Sequence, residues 1–166
     1  MEFTITQGDI AQQDVDAVVN AANTRLNMGS GVAGALRESG GEALNEEAVS
    51  KGPIDLGEVV ETDGYDLTAD YVIHAAAMPP GGQASADSIH DATENSLACA
   101  DDLSCESLTL PAIGCGVAGF DLRDGLEIIC DVIDEYDPAD GVLSDVRVIA
   151  YGDDAFTVLT EVAEEY

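Results

Sequence analysis

Apolar positions along the 166-residue chain follow two rhythms that alternate from end to end. Short stretches at 2–6 (EFTIT), 15–20 (VDAVVN), 57–62 (GEVVET), 70–77 (DYVIHAAA), 107–114 (SLTLPAIG) and 146–152 (VRVIAYG) are β-branched or continuously apolar and predict strands. Residues 86–103, 121–136 and 154–165 instead place apolar side chains at a helical period and predict helices. From Val32 to Val49 the helical spacing is broken by Gly40-Gly41, which predicts one bent helix or two short ones after a loop holding Gly29, Gly31 and Gly34. Gly8-Asp9 ahead of Ile10 predicts a turn into a brief helix-like connection, and Asp63-Gly64 a turn between the third and fourth strands. Strand and helix alternate throughout, so the expected architecture is α/β, a mixed central sheet flanked by helices. No internal repeat or linker interrupts it, and Pro79-Pro80-Gly81-Gly82 reads as a local loop. One domain over 1–166 is expected, long enough to bury its own core.

Composition changes the picture in one respect. Against 34 Asp and Glu stand only 5 Lys and Arg, a formal net charge of −29, with the acids scattered between apolar positions. Disorder would require low hydrophobicity as well, and 46% of the residues are hydrophobic. Self-repulsion on this scale destabilises a compact chain at ordinary salt, while molar salt shortens the Debye length to about 3 Å and screens it. The balance therefore reads as halophilic adaptation to a high-salt cytoplasm. Arg25, Arg37, Lys51, Arg123 and Arg147 form no basic cluster, which argues against nonspecific nucleic-acid binding. The longest apolar runs are a few residues and the start reads MEFTITQGD, so neither a membrane span nor an export signal is expected. Cys99, Cys105, Cys115 and Cys130 show no CxxC pair and no histidine at ligand spacing, so reduced thiols and no metal site are expected.

In α/β sheets ligands sit beyond the carboxyl ends of the strands. Two glycine-rich segments fall at such ends. Asn20-Ala21-Ala22-Asn23 follows the second strand's apolar run and leads into MGSGVAG at 28–34 and a helix. GCGVAG at 114–119 lies between a strand and the helix from Asp121. Glycines there leave amide N–H groups unshielded near a helix start, where phosphate oxygens bind without a basic side chain. Either segment alone could be a flexible turn; two with the same order of strand, loop and helix point to a diphosphate held from both sides. Neither is a Walker A loop, since no GK[ST] occurs, and neither fits a dinucleotide fingerprint. Asp9 could accept from an exocyclic amine or simply cap a turn. Tyr151 could stack on a base, worth about 1–3 kcal/mol, or pack at the sheet end. His74, between apolar neighbours, is expected to be a buried, hydrogen-bonded core residue, and His90 to be solvated.

Taken together, GDI at 8–10, VVNAAN at 18–23, GSGVAGAL at 29–36, YVIHAA at 71–76, PAIGCGVAGF at 111–120 and VIAYG at 148–152 resemble the macrodomain family across almost the whole chain. The resemblance implies a three-layer α/β/α sandwich with a mixed central sheet of about six strands and a cleft for ADP-ribose. It implies that Asp9 takes the adenine amine beside Ile10 and that Tyr151 flanks the ring. Gly31, Val32 and Ala33 would wrap the diphosphate and distal ribose together with Gly114, Cys115, Gly116, Val117, Ala118 and Gly119. Asn23 would bond the distal ribose and is the one candidate catalytic residue, while Asn20 would hold the loop through side-chain to backbone bonds. Family hydrolases carry an Asp where this chain has Ala33, and an aromatic where it has Ala118; Phe120, two residues on, could partly substitute. The implied activities are removal of ADP-ribose from acidic side chains, processing of O-acetyl-ADP-ribose or ADP-ribose 1″-phosphate, or binding without turnover. The implied partner is ADP-ribose or an ADP-ribosylated protein, with no cofactor, and a cytoplasmic monomer is expected.

Overall fold

The structure is a computed structural model that describes residues 1–116, 118–138 and 141–166. Six strands form one sheet: β1 (Thr4–Gln7), β2 (Ala17–Asn23), β3 (Val59–Asp63), β4 (Tyr71–Met78), β5 (Ser107–Leu110) and β6 (Asp145–Ala150), in the order β1-β6-β5-β2-β4-β3. All neighbours run parallel except β3, which lies antiparallel on β4 at the edge. Five α-helices cover the sheet: α1 (Gly31–Gly40), α2 (Glu42–Lys51), α3 (Ala86–Asp102), α4 (Leu122–Glu135) and α5 (Asp153–Ala163). A 3-10 turn, Ile10–Gln12, follows β1.

Strands covered on both faces must be apolar on both, and here the alternation of side chains sorts them into two cores. Ala17 and Val19 of β2, with Ile73, Ala75 and Ala77 of β4, pack under α3, α4 and α5. Val18 and Ala22 of β2, with Val72 of β4, pack under Leu36 of α1 and Leu44 and Ala48 of α2. The result is the three-layer α/β/α sandwich with a mixed six-stranded sheet.

Several boundaries differ from the sequence expectation for identifiable reasons. The helical region after Gly29 is two helices: Gly41, at φ 98°, ends α1 and begins α2. A Cβ on Gly40 would stand 2.7 Å from Leu44 Cδ2, so the corner is too tight for a side chain. β2 begins at Ala17 and continues through Asn23, so the NAAN segment belongs to the strand and not to a loop after it. β5 stops at Leu110, because Pro111 has no N–H to give a ladder. Asp63-Gly64 opens a longer connection closed by the Gly64 N–H to the Asp70 carbonyl at 2.8 Å; a Cβ on Gly64 would lie 1.9 Å from the Ala69 carbonyl oxygen. Among the described residues no helix is long and apolar enough to cross a membrane.

Candidate functional site

Strands β5 and β2 are neighbours, yet they pair only at Ala17 with Leu108 and Val18 with Thr109. Beyond that point β5 leads to α4 on one face and β2 leads to α1 on the other, so the carboxyl ends part. This is a topological switch point, where crevices form in α/β sheets. A cavity of about 910 Å³ opens there, within the roughly 300–1,000 Å³ of small-ligand sites.

The described lining gathers most of the residues singled out in the sequence. Asp9 and Ile10 follow β1, Asn23 ends β2, and Gly31, Val32 and Ala33 open α1. Gly114, Cys115, Gly116 and Ala118 come from the loop after β5, and Tyr151, 82% exposed, follows β6. Gly119 and Phe120 are not in the lining. The Gly119 N–H closes a turn on the Gly116 carbonyl at 3.0 Å, and the Phe120 N–H bonds the Gly114 carbonyl at 3.1 Å. The Phe120 ring packs against the α3/α4/α5 core beside Gly125, so it does not replace the aromatic missing at Ala118. Val117 lies outside the described residues.

Each polar group is held in a way that limits its chemistry. Asp9 Oδ1 accepts the Ala11 N–H at 2.9 Å and caps the 3-10 turn, leaving the second carboxylate oxygen for another donor. Asn23 Oδ1 accepts the backbone N–H groups of Arg25 at 2.9 Å and Leu26 at 3.0 Å, so the amide Nδ2 is the free end of this side chain. Ser30 makes no side-chain cap on α1. The N–H groups of Gly31, Val32 and Ala33 consequently find no acceptor among the described residues, while that of Gly34 bonds the Ser30 carbonyl. Donors without an acceptor among the described residues, at the positive end of a helix, are the backbone chemistry that an anion satisfies.

Asn20 does something other than hold a loop. Its Nδ2 lies 3.0 Å from His74 Nδ1, and His74 Nε2 lies 2.9 Å from Thr62 Oγ1, a buried polar row across β2, β4 and β3. His74 is fully buried, and burial pushes its pKa down to about 4, so the ring is neutral and structural. Cys115 contacts the Ile113 carbonyl at 3.5 Å; burial first, and the Asp121 charge second, raise its pKa to about 11. A thiol of that pKa is no nucleophile at neutral pH.

Sequence reasoning passed over a third loop. Met78, Pro79, Gly81 and Gly82 at the end of β4 also line the cavity, as do Asn27 and Glu38. Glu38 lies on the α1 stripe of Gly31 and Ala35, and helical spacing from Gly31 would have found it. Asp9 and Glu38 are the only charged side chains in the described lining, which holds no Lys, Arg or His. Among the described residues no group of acids, cysteines and histidines could hold a metal ion.

The fold and cleft together define a three-layer α/β/α protein with a ligand crevice at its switch point, bounded by glycine loops. The model of the family described as "Macro domain" matches residues 19–129. An uncharacterized protein of Sulfolobus acidocaldarius is 39% identical over 166 residues, with 98% of this chain and 90% of that protein covered. The chain belongs to the macro domain family. An uncharacterized protein of Mycobacterium tuberculosis is 43% identical over 155 residues, covering 93% of this chain; the chain spans 43% of that longer relative. Among solved structures, the Trypanosoma brucei macrodomain in complex with ADP-ribose superposes with a TM-score of 0.83 at 27% identity, covering 95% of this chain and 67% of that one. The Oceanobacillus iheyensis macrodomain with ADP gives 0.82 at 22% identity, covering 97% and 89%, and shares the fold.

Proposed function

We propose that this chain binds ADP-ribose in the switch-point cavity. The observation that carries the reading is that the N–H groups of Gly31, Val32 and Ala33 have no acceptor among the described residues and line the same cavity as Gly114, Cys115, Gly116 and Ala118 across the parting of β2 and β5. A diphosphate between them satisfies donors that have no other partner among the described residues. In this placement the free oxygen of Asp9 accepts from the adenine amine beside Ile10, and Tyr151 flanks the ring. The distal ribose meets the free Nδ2 of Asn23. The Trypanosoma brucei relative holds ADP-ribose, which supports the choice of ligand. We further take residues 1–166 to act as one cytoplasmic domain and as a monomer.

A second reading adds turnover at the distal ribose of an ADP-ribosyl ester or of ADP-ribose 1″-phosphate. It is favoured by Asn23, whose locked Oδ1 fixes the direction of its Nδ2 and could orient a water. Ala33 supplies no carboxylate to activate that water, so catalysis would fall to Asn23, loop amides and the ligand's own diphosphate, and would be slow.

Calorimetric titration with ADP-ribose in molar KCl tests the binding. Affinity in the micromolar range is expected, and no heat at millimolar ligand would overturn the reading. Incubation with an auto-ADP-ribosylated protein at the same salt separates the two forms: label loss supports the esterase, and retained label with measured affinity supports the reader.

A further inference from the structure

The cavity that we read as a diphosphate site has no basic side chain among its described lining residues. Asp9 and Glu38 are the only charged ones there. The few basic side chains are committed elsewhere: Arg37 to Glu42, Lys51 to Glu47, Arg123 to Glu161 and Arg147 to Asp145. Arg25 does not line the cavity. Around the site the chain carries −29. A ligand of charge −2 is thus bound by dipoles alone, against the field of the whole protein.

We propose that this site selects its ligands by charge: anion affinity rises with ionic strength, and at low salt a terminal phosphomonoester weakens binding. At low salt the substrate class narrows to ADP-ribose that is free or joined through a neutral ester, ahead of ADP-ribose 1″-phosphate. The inference rests on the proposed diphosphate placement. Backbone N–H groups at Gly31, Val32 and Ala33 can satisfy phosphate oxygens whose charge the diphosphate already carries. Nothing in the described lining compensates a further phosphate, and the field of a chain carrying −29 opposes it. A site built on Lys and Arg would show the opposite trend, because salt weakens attraction between opposite charges.

The size of the effect follows from the size of the chain. A domain of this length has a radius of about 20 Å, and the Debye length falls from about 8 Å at 0.15 M salt to about 3 Å at 1 M. Spreading the formal charge over that sphere gives a gain of about fivefold in affinity per unit of ligand charge between the two salts. ADP-ribose should bind about 20-fold more tightly at the higher salt, ADP-ribose 1″-phosphate should gain several hundredfold from a much weaker start, and adenosine should not change.

The test is calorimetry of the full chain with adenosine, ADP-ribose and ADP-ribose 1″-phosphate across a KCl series, restricted to salts at which circular dichroism shows the native spectrum. Affinity that rises with salt in proportion to ligand charge, with adenosine flat, is the expected result. ADP-ribose affinity that is flat or falls with salt overturns the inference. So does a terminal phosphate that binds as well as ADP-ribose at the lowest permitted salt, or a rise that is lost when choline chloride replaces KCl and so reports a bound metal cation. Glu38→Gln should tighten ADP-ribose at the lowest permitted salt and leave adenosine unchanged; an equal effect on both ligands would count against a role for charge. If ADP-ribose fails to bind at every salt, the functional reading itself falls.

Discussion

The buried row Asn20, His74 and Thr62 makes the fold sensitive to acid at a definable pH. His74 is fully buried, with both ring nitrogens engaged, and burial lowers its pKa from 6.5 to about 4. Glu47 pulls that value up and Lys51 pushes it down, both by less than burial does. The unfolded chain takes up a proton at this residue near pH 6.5, whereas the folded chain resists until about pH 4. Between those limits the unfolded state binds more protons, so this residue's contribution is complete above pH 6.5 and is lost as pH falls toward 4. The loss amounts to about 2 kcal/mol at pH 5 and about 3 kcal/mol below pH 4. Urea unfolding followed by circular dichroism in molar KCl, at pH 7 and pH 5, measures it. His74→Gln keeps a polar neutral side chain and removes the titration, while the 34 acidic residues remain common to both proteins. Unfolding free energy of the natural chain should fall by about 2 kcal/mol more than that of the variant. Parallel pH dependence in the two proteins would refute the assignment of His74 as a neutral core residue.

The site yields three further tests. Gly116 has open space where a Cβ would project and lines the cavity, so Gly116→Val should leave the melting temperature within about 2 °C and lower ADP-ribose affinity at least about 100-fold by filling phosphate space. Asp9→Ser keeps an oxygen for the Ala11 N–H and removes the second carboxylate oxygen; titration should show affinity for adenosine and ADP-ribose falling about 10-fold, with stability little changed. Asp9→Ala should show the same loss and in addition a cap loss of about 1 kcal/mol in urea unfolding. Cys115, with its pKa raised to about 11, should resist iodoacetamide at pH 8 in the folded protein and react once the chain is unfolded in urea; rapid labelling at Cys115 of the folded chain, located by peptide mapping, would contradict its raised pKa.

Much of the fold was legible because strand and helix periods differ. The six apolar runs became six strands and the helical stretches became helices, with the Gly40-Gly41 break resolved by the φ of Gly41. The extent of β2 was not legible. Asn20, Ala21, Ala22 and Asn23 are small or polar, and such residues signal a loop unless the neighbouring strand is known to carry a matching partner. That partner is His74, directly opposite Asn20 in register on β4, and sequence order does not reveal register. Of the proposed site, the two glycine segments stood out because strand, loop and helix recur around them. The loop at Pro79–Gly82 was missed although it also follows a strand, since Pro-Pro-Gly-Gly reads first as punctuation. Phe120 misled for a different reason: two positions along a loop say nothing about direction when turns at Gly114 and Gly119 reverse the chain between them.

Glycines 114 and 116 show how a site without cations divides its requirements. At Gly114 the backbone is left-handed, φ 79°, and a Cβ would stand 2.7 Å from that of Ala84 and 3.0 Å from Ile89 Cδ1. That glycine is needed by the protein, because it lets the loop turn tightly against the start of α3. At Gly116 no described residue beyond its chain neighbours lies within 4 Å of a Cβ, and nothing among them requires glycine there. What remains to require it is whatever enters the cavity. A site with an arginine can tolerate some crowding near the backbone, since a long side chain reaches its anion from a distance. One that relies on N–H groups needs hydrogen-bond contact at about 3 Å, and a single methyl group in the path defeats it. The lack of basic residues and the excess of small ones around this cavity are therefore two sides of one physical constraint: dipoles act only at short range, so the chain must leave the ligand room to reach them.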